Sequence, residues 1–247
     1  MNSMWTIVKK DILGIFSVPS GVLALALFYL VSLLFLWVFE SPFNIINSGF
    51  ADLNVFFNLA PWLLMFLIPA LSMRSFAEEI KTGTLEVLLT KPICVWHLVL
   101  GKFMAIVVVF TVALLPTTIH LWCLQKLMQA GTPLDWGSIV GGYLGLVFLC
   151  ICFACISNFA SAASKNTVTA YLGALLLCFL QYYGWGQLAV LIPDFGWFGF
   201  IRDLGIEAHY IGISNGVVQV SDLAYYIGLS LFFLALTQHA LQKIKAQ

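Results

Sequence analysis

Six long apolar stretches, separated by shorter polar segments, dominate the hydrophobic pattern of this chain. A helix rises about 1.5 Å per residue, so about 20 apolar residues are needed to cross roughly 30 Å of hydrocarbon. All six stretches approach or exceed that length, and each predicts a membrane-spanning helix. They are residues 21–39, 55–73, 103–124, 139–163, 167–192 and 223–240.

The first 20 residues predict an amphipathic helix that lies in the membrane interface and leads into the first span at Pro19. Its apolar positions recur at helical spacing, at Trp5, Val8, Ile12 and Phe16. The charged positions are expected on the opposite face, at Lys9, Lys10 and Asp11.

Residues 74–101 join the second and third spans and contain two short helix signals. The sequence is compatible with helix up to Lys81, Gly83 permits a turn, and Thr84 can cap a second helix. The apolar face of that second helix consists of Leu85, Leu88 and Leu89, and Pro92 ends it. Two interpretations stay open: a solvated connecting loop, or a docking element for another protein.

Composition agrees with a membrane location. Hydrophobic residues make up 62% of the 247 residues and charged residues only 9%, whereas soluble proteins carry about 25% charged residues. Lysine and arginine are also unevenly distributed: with the N-terminus inside, nine flank the cytoplasmic ends of the spans and two, Lys126 and Arg202, lie outside. This excess of positive charge predicts that both termini are cytoplasmic.

No catalytic or metal-binding residues are predicted. The chain has no phosphate loop for ATP, because the only Gly-Lys pair, Gly101-Lys102, is followed by Phe103. Cys152 and Cys155 lie in the middle of a span and are expected to pack as small residues. The four histidines are far apart in the sequence, and interfacial or packing roles are expected for them.

The spans contain few polar groups, which argues against an ion-coupled carrier. The candidates near the middle of the spans are Asn58, His120, Asn158 and Gln181. Hydrogen bonding between helices is the favoured interpretation of these side chains, and contact with a substrate is the alternative.

The run from Glu79 to Pro92, continuing to Leu100-Gly101-Lys102, resembles the coupling-helix region of ABC-2 permeases, the membrane subunits of type V ABC transporters. The family signature is an acidic residue before Gly-Thr-Leu-Glu, then Leu-Leu-Thr, a Pro, and Leu-Gly-Lys at the start of the third span. The amphipathic N-terminus resembles the connecting helix of the family, and residues 209–225 resemble the stretch before its last span. The resemblance covers nearly the whole chain.

The resemblance implies an all-α membrane protein that forms one domain over residues 1–247. Its parts would be six transmembrane helices, an amphipathic connecting helix (1–20), a cytoplasmic coupling-helix region (74–101) and an external segment (193–222). That external segment is either an ordinary interfacial loop or, as the resemblance favours, a re-entrant helical hairpin before the last span.

The resemblance further implies a non-catalytic permease subunit of an exporter in the bacterial inner membrane. A separate cytoplasmic ABC ATPase, in two copies, would bind ATP and Mg, and a second six-span permease would complete the membrane unit. This chain would itself bind no cofactor. Its ATPase-docking residues would be Arg74, Glu78, Glu79, Thr82, Gly83, Thr84, Leu85, Glu86, Leu88, Leu89, Lys91 and Pro92.

Within the family, residues 35–39 and 73–79 are most similar to the gliding-motility-associated permease. The sequence departs from that pattern at Asp11, where a Glu is usual, and at Asn215 and Gln219, where a basic and an acidic residue are frequent. An alternative function is a membrane anchor that transmits force from ATP turnover to a periplasmic partner without moving a substrate.

Overall fold

The structure, a computed structural model, describes residues 2–46, 53–90, 94–128, 134–191 and 197–245, with the backbone alone for Asn2, Ser3 and Leu89. Within these ranges the regular elements are all helical, and there is no strand. A 3₁₀ turn at Leu115–Thr117 and a π-helical turn at Leu180–Gly184 interrupt two of the spans. The α-helices are α1 (Asn2–Ser17), α2 (Pro19–Trp37), α3 (Asn54–Ser72), α4 (Ala77–Lys81), α5 (Thr84–Leu89), α6 (Val95–Leu114), α7 (Thr118–Leu127), α8 (Trp136–Ala162), α9 (Thr167–Phe179), α10 (Trp185–Leu191), α11 (Phe198–Asp203), α12 (Ile206–Ser214) and α13 (Val220–Lys245).

Six segments of the described chain are long and apolar enough to cross a membrane, which confirms the predicted number of spans. The third begins at Val95, well before the predicted residue 103, because His97 and Lys102 lower the hydropathy of its first turns without interrupting the helix. The six segments are Pro19–Trp37, Asn54–Lys81, Val95–Leu127, Trp136–Ala162, Thr167–Leu191 and Val220–Lys245.

Successive spans alternate in direction, so α1, α4, α5, the start of α6 and the end of α13 lie at the same end of the bundle. This end carries most of the described lysines, and we call it the basic end. At the opposite end lie α10, α11, α12 and the start of α13. Residues 193–196 of the predicted external segment lie outside the described residues.

Helix α8 lies at the centre of the bundle and packs against α3, α6, α9, α12 and α13. Small residues allow this close packing: a Cβ atom on Gly142 would collide with the Phe57 ring, and Cys152 and Cys155 are fully buried. Most of α8 is buried inside the protein, whereas most of Thr167–Leu191 is not. The peripheral spans therefore leave apolar surface for lipid or for another subunit.

The predicted external segment contains two short helices, α11 and α12. Helix α12 packs on α8, where a Cβ atom on Gly141 would collide with the carbonyl oxygen of Ile213. Tyr210 is 1% exposed and donates a hydrogen bond to the carbonyl oxygen of Phe57, at 2.7 Å. This part of the chain is therefore helical and closely packed against the spans.

Helix α1 is present, but its faces differ from the predicted ones. Val8 is 2% exposed, whereas Trp5 and Phe16 point away from the protein, at 67% and 50% exposed. Asp11, predicted on the polar outer face, points inward instead. The physical reason is a buried lysine on α6, described below, with which Asp11 forms an ion pair.

Candidate coupling site

Two short helices at the basic end, α4 and α5, form the part of the site that is most exposed. They are joined by Thr82 and Gly83, and Gly83 adopts a φ of 71°, in the left-handed region that favours glycine. Gly83 is also the N-cap of α5, so the expectation that Thr84 caps this helix was wrong. Thr84 is instead the first helical residue, and its hydroxyl contacts the hydroxyl of Thr82 at 2.9 Å.

The predicted docking residues point in two directions. Those that the structure exposes are Glu78, Thr82, Gly83, Thr84 and Glu86. Those that are partly buried or buried within this chain are Arg74, Glu79, Leu85 and Leu88. Lys91 and Pro92 lie outside the described residues, as does the side chain of Leu89.

The apolar face of α5 is covered by the protein itself. Leu85 is 1% exposed and belongs to the core, and Leu88 packs against that core. Val87, which the sequence did not single out, is 63% exposed beside the exposed Glu86. The exposed surface of α5 is therefore the one with Glu86 and Val87.

The start of α4 is hydrogen-bonded to α8, at the centre of the bundle. The hydroxyl oxygen of Ser161, on α8, accepts hydrogen bonds from the backbone N–H groups of Phe76 and Ala77, at 3.0 and 3.1 Å. The same hydroxyl donates to the carbonyl oxygen of Met73, at 3.2 Å. One side chain of α8 thus satisfies three backbone groups at the turn between α3 and α4.

A buried lysine links α4 to two other helices. Lys102 of α6 is 3% exposed, and its ammonium donates to the carbonyl oxygen of Ser75 at 2.6 Å. The ammonium also lies 3.1 Å from Glu79 Oε1 and 3.5 Å from Asp11 Oδ2. Lys10 forms a second ion pair with Glu79, at 3.3 Å. We call these four residues, Lys10, Asp11, Glu79 and Lys102, the charge cluster.

The charge cluster is electrically balanced, with two ammonium groups and two carboxylates. Burial raises the pKa of Asp11, and the nearby Lys102 opposes that rise. Glu79 Oε2 and Ser75 Oγ are buried, and neither has a hydrogen-bond partner among the described residues.

Helix α1 comes close enough to join the charge cluster because α6 has a glycine, Gly101, at the contact. A Cβ atom on Gly101 would lie 2.9 Å from Cγ2 of Ile7, which shows how closely the two helices approach. A cavity of about 380 Å³ lies beside this contact, with Asp11, Arg74 and Lys102 among its lining residues. The basic end therefore combines a tight helix contact with space into which side chains can move.

The charge cluster was not predicted from the sequence. The hydropathy pattern placed Lys102 before the third span, and the helical periodicity placed Asp11 on the charged face of α1. The signal was present: Lys102 is the one charged residue in the sequence of α6, Val95–Leu114, and an intramembrane charge requires a partner. What the sequence could not supply was which carboxylates, of those far apart in the chain, would be the partners.

Two of the four polar candidates in the spans form the expected hydrogen bonds to other parts of the protein. His120 accepts a hydrogen bond from Trp37 Nε1 at 3.0 Å, and Gln181 donates to the Tyr225 hydroxyl and to the carbonyl oxygen of Leu204. Asn158 is fully buried in α8, but neither atom of its amide group has a hydrogen-bond partner among the described residues. Asn58, in contrast, is exposed on α3. The described residues contain no group of three or more metal-ligating side chains.

The fold and the site define a helical membrane protein of six spans whose polar features lie at the two ends of the bundle. A comparison with protein families identifies it further: residues 31–237 match the family described as "ABC-2 family transporter protein". The chain therefore belongs to the ABC-2 family of transporter membrane proteins. A search of curated proteins finds no match.

Family membership defines the general role of the chain. It is a membrane permease component of an ABC transporter, and such a transmembrane subunit is not catalytic. Membership also implies an ABC ATPase as its partner, since the energy for transport comes from ATP.

Proposed function

We propose that the basic end of the bundle is cytoplasmic and that α4 and α5 dock on the ABC ATPase. The exposed surface beside Gly83, with Glu78, Thr84 and Glu86, supports this assignment. Lys91 and Pro92, which follow α5, are proposed as part of the same contact. The chain is thereby the subunit that converts closure of the ATPase into movement of the spans in a bacterial inner membrane.

The observation that carries this proposal is the connection of α4 to three other helices. Ser161 joins the start of α4 to α8, and Lys102 joins Glu79 of α4 to α6 and, through Asp11, to α1. A force on α4 and α5 therefore acts on the central helix and on the N-terminal helix together. In this arrangement Glu79, Leu85 and Leu88 hold the coupling segment in place, and the exposed residues contact the ATPase.

Variants of the exposed surface of α5 test the docking. Reversing Glu86 to Lys and changing Val87 to Asp is expected to abolish co-purification of the ABC ATPase from the native host, because both side chains are exposed at this surface. The thermal stability of the membrane subunit in detergent is expected to stay unchanged, since surface substitutions change it little.

The matched control is Trp197→Asp, an exposed apolar residue at the opposite end. It is expected to leave ATPase binding intact. Full binding by the Glu86→Lys/Val87→Asp variant would contradict the docking assignment, and the unchanged melting temperature separates this result from misfolding.

We further propose that the working unit contains two ATPase copies and a second six-span permease. The peripheral spans support this, because most of α2 is not buried inside this chain and its exposed face is apolar. Native mass spectrometry of the purified complex is expected to show this chain with a second permease, either a copy of its own 27.4 kDa mass or a different chain. A complex with ATPase and a single six-span chain would contradict the proposal.

Gliding motility is the proposed setting, on the resemblance of residues 35–39 and 73–79 to the permease of that system. The alternative, a mechanical anchor for a periplasmic partner, is favoured by two exposed aromatic residues at the opposite end, Trp197 and Phe200. Deleting the coding sequence tests the setting: loss of surface movement with normal growth is expected, and unimpaired movement would contradict it.

A further inference from the structure

At the end of the bundle opposite the charge cluster, a histidine on α12 faces a hydrogen-bond acceptor at both of its ring nitrogens. His209 Nδ1 lies 2.8 Å from Asp222 Oδ1, and Nε2 lies 2.9 Å from the backbone carbonyl oxygen of Asp203. The two acceptors belong to different helices, α13 and α11. One imidazole ring therefore joins three helices.

A neutral imidazole cannot make both of these hydrogen bonds, because it carries a single N–H group. If the proton is on Nδ1, the lone pair of Nε2 faces the carbonyl oxygen of Asp203. If it is on Nε2, the lone pair of Nδ1 faces the carboxylate of Asp222. In either tautomer two acceptors would face each other at less than 3 Å.

We infer that His209 and Asp222 form a proton-binding site, and that the bound proton holds α11, α12 and α13 together. With one additional proton on the pair, the ring is an imidazolium that donates to the carboxylate and to the carbonyl group. Both bonds are then charge-assisted, which makes them stronger than bonds between neutral groups.

The surroundings of Asp222 favour the proton on the ring rather than on the carboxyl group. Asp222 lies in the first turn of α13, where the helix dipole favours a negative charge. Its Oδ2 also accepts a hydrogen bond from the backbone N–H of Gln219, at 3.3 Å. The pair is largely removed from water, with 13% of the His209 side chain and 10% of the Asp222 side chain exposed.

Other polar groups around the ring reinforce the same connection. Tyr225 of α13 stacks on His209 with ring centroids 4.1 Å apart, and its hydroxyl donates to the carbonyl oxygen of Leu204. The Asp203 carboxylate pairs with the exposed Arg202. The titratable and charged groups that the neighbouring elements contribute are Tyr182, Arg202, Asp203, Glu207, Asp222 and Tyr225.

Loss of the proton would remove one of the two bonds and the ion pair together. The joined state therefore exists only while the pair holds its additional proton. Histidine is the side chain suited to such a change near neutral pH. The proton concentration at this side of the membrane would then regulate how readily α11 and α12 separate from α13.

The protonation state can be measured on the unmodified chain. Solid-state NMR of ¹⁵N-histidine-labelled protein in lipid nanodiscs, at about pH 6, is expected to show the His209 ring with both nitrogens protonated. Among the four histidines, this signal is assigned by its absence from His209→Gln. A His209 ring with one unprotonated nitrogen at that pH would overturn the inference.

Hydrogen exchange across residues 198–225 tests the mechanical consequence. After correction for the intrinsic rate, exchange is expected to increase roughly tenfold between about pH 6 and about pH 9, the effect of losing one charge-assisted bond. In Asp222→Asn this increase is expected to vanish, with exchange fast at both pH values. The matched control, Asp203→Asn, removes an exposed carboxylate but keeps the backbone acceptor, so the wild-type increase should remain. Equal pH dependence in wild type and Asp222→Asn would contradict the proton site.

Discussion

An ammonium group buried to the extent of Lys102 is stable only where oxygen atoms replace its water. Three oxygen atoms do so here, from Ser75, Glu79 and Asp11, and they come from two helices and one turn. Removing the cation while leaving its partners would bury uncompensated carboxylates, which costs more than the ion pair itself contributes. The main effect of losing the lysine would therefore be two buried carboxylates without this cation.

Replacing Lys102 by Met is expected to lower the free energy of unfolding by about 3–5 kcal/mol. Adding Asp11→Asn and Glu79→Gln to the same chain is expected to restore most of it, because no buried charge then lacks a partner. Urea unfolding in mixed micelles measures both values.

The comparison for this prediction is Arg74→Met. Arg74 and Glu78 are 3.8 Å apart, and 41% and 51% of their side chains are exposed to solvent, so the loss should be less than about 1 kcal/mol. An equally small loss for Lys102→Met would contradict the role of the charge cluster.

Glu207 is expected to make the stability of the protein depend on pH, and its burial determines the direction of the change. Burial raises its pKa above the ordinary value, so the folded chain binds this proton more tightly than the unfolded chain. The stability due to this group is therefore complete at pH values below its ordinary pKa and is lost as the pH rises through the raised pKa. Glu207→Gln removes the titration.

Thermal unfolding in detergent is the measurement for Glu207. From about pH 4 to about pH 7 the wild type is expected to lose stability relative to Glu207→Gln. A difference between the two proteins that does not change with pH, or that changes in the opposite direction, would refute the effect of burial.

At the scale of elements, α1 and α6 form the contact that differs most from the prediction for the N-terminus. Amphipathic periodicity identified the helix, but the packed face is set by Ile7, Val8 and Asp11 rather than by every apolar residue. Exposed Trp5, Leu13 and Phe16 are left for lipid. One face of α1 packs on protein and another faces the membrane interface, so its apolar surface is broad. Helical periodicity alone cannot tell which part of that surface packs on the protein.

Enlarging Gly101 tests this contact. Gly101→Val places a side chain where Ile7 lies, and overpacking of this kind costs about 1–3 kcal/mol. Ile7→Ala in the same chain is expected to recover part of the loss, because it vacates the same space. The difference between double and single variants, from unfolding curves, measures the recovery.

Gly173→Val is the control for this pair, since a Cβ atom there would meet no other atom within 4 Å. Gly173→Val should lower the free energy of unfolding by no more than a surface substitution does. Strictly additive effects of Gly101→Val and Ile7→Ala would contradict the direct contact between α1 and α6.

At the scale of the whole molecule, the sequence predicts the number of spans, their order and the positions of the short helices α4 and α5. These features follow from local hydropathy and turn residues, which the chain shows directly. The charge cluster and the bonds of Ser161 and His209 could not be predicted, because each joins residues from distant parts of the sequence. Lys102 in particular was misplaced by a hydropathy window that excludes charges from spans.

The charge cluster also has a consequence for the order of biosynthesis. The chain emerges from the ribosome with Asp11 first, then Glu79, and Lys102 last. Both carboxylates are therefore synthesised, and are present at one membrane surface, before the helix with the lysine enters the bilayer. When the third span enters the bilayer, Lys102 therefore has carboxylate partners available, from Asp11 and Glu79. These partners lower the cost of inserting a charged residue with the span.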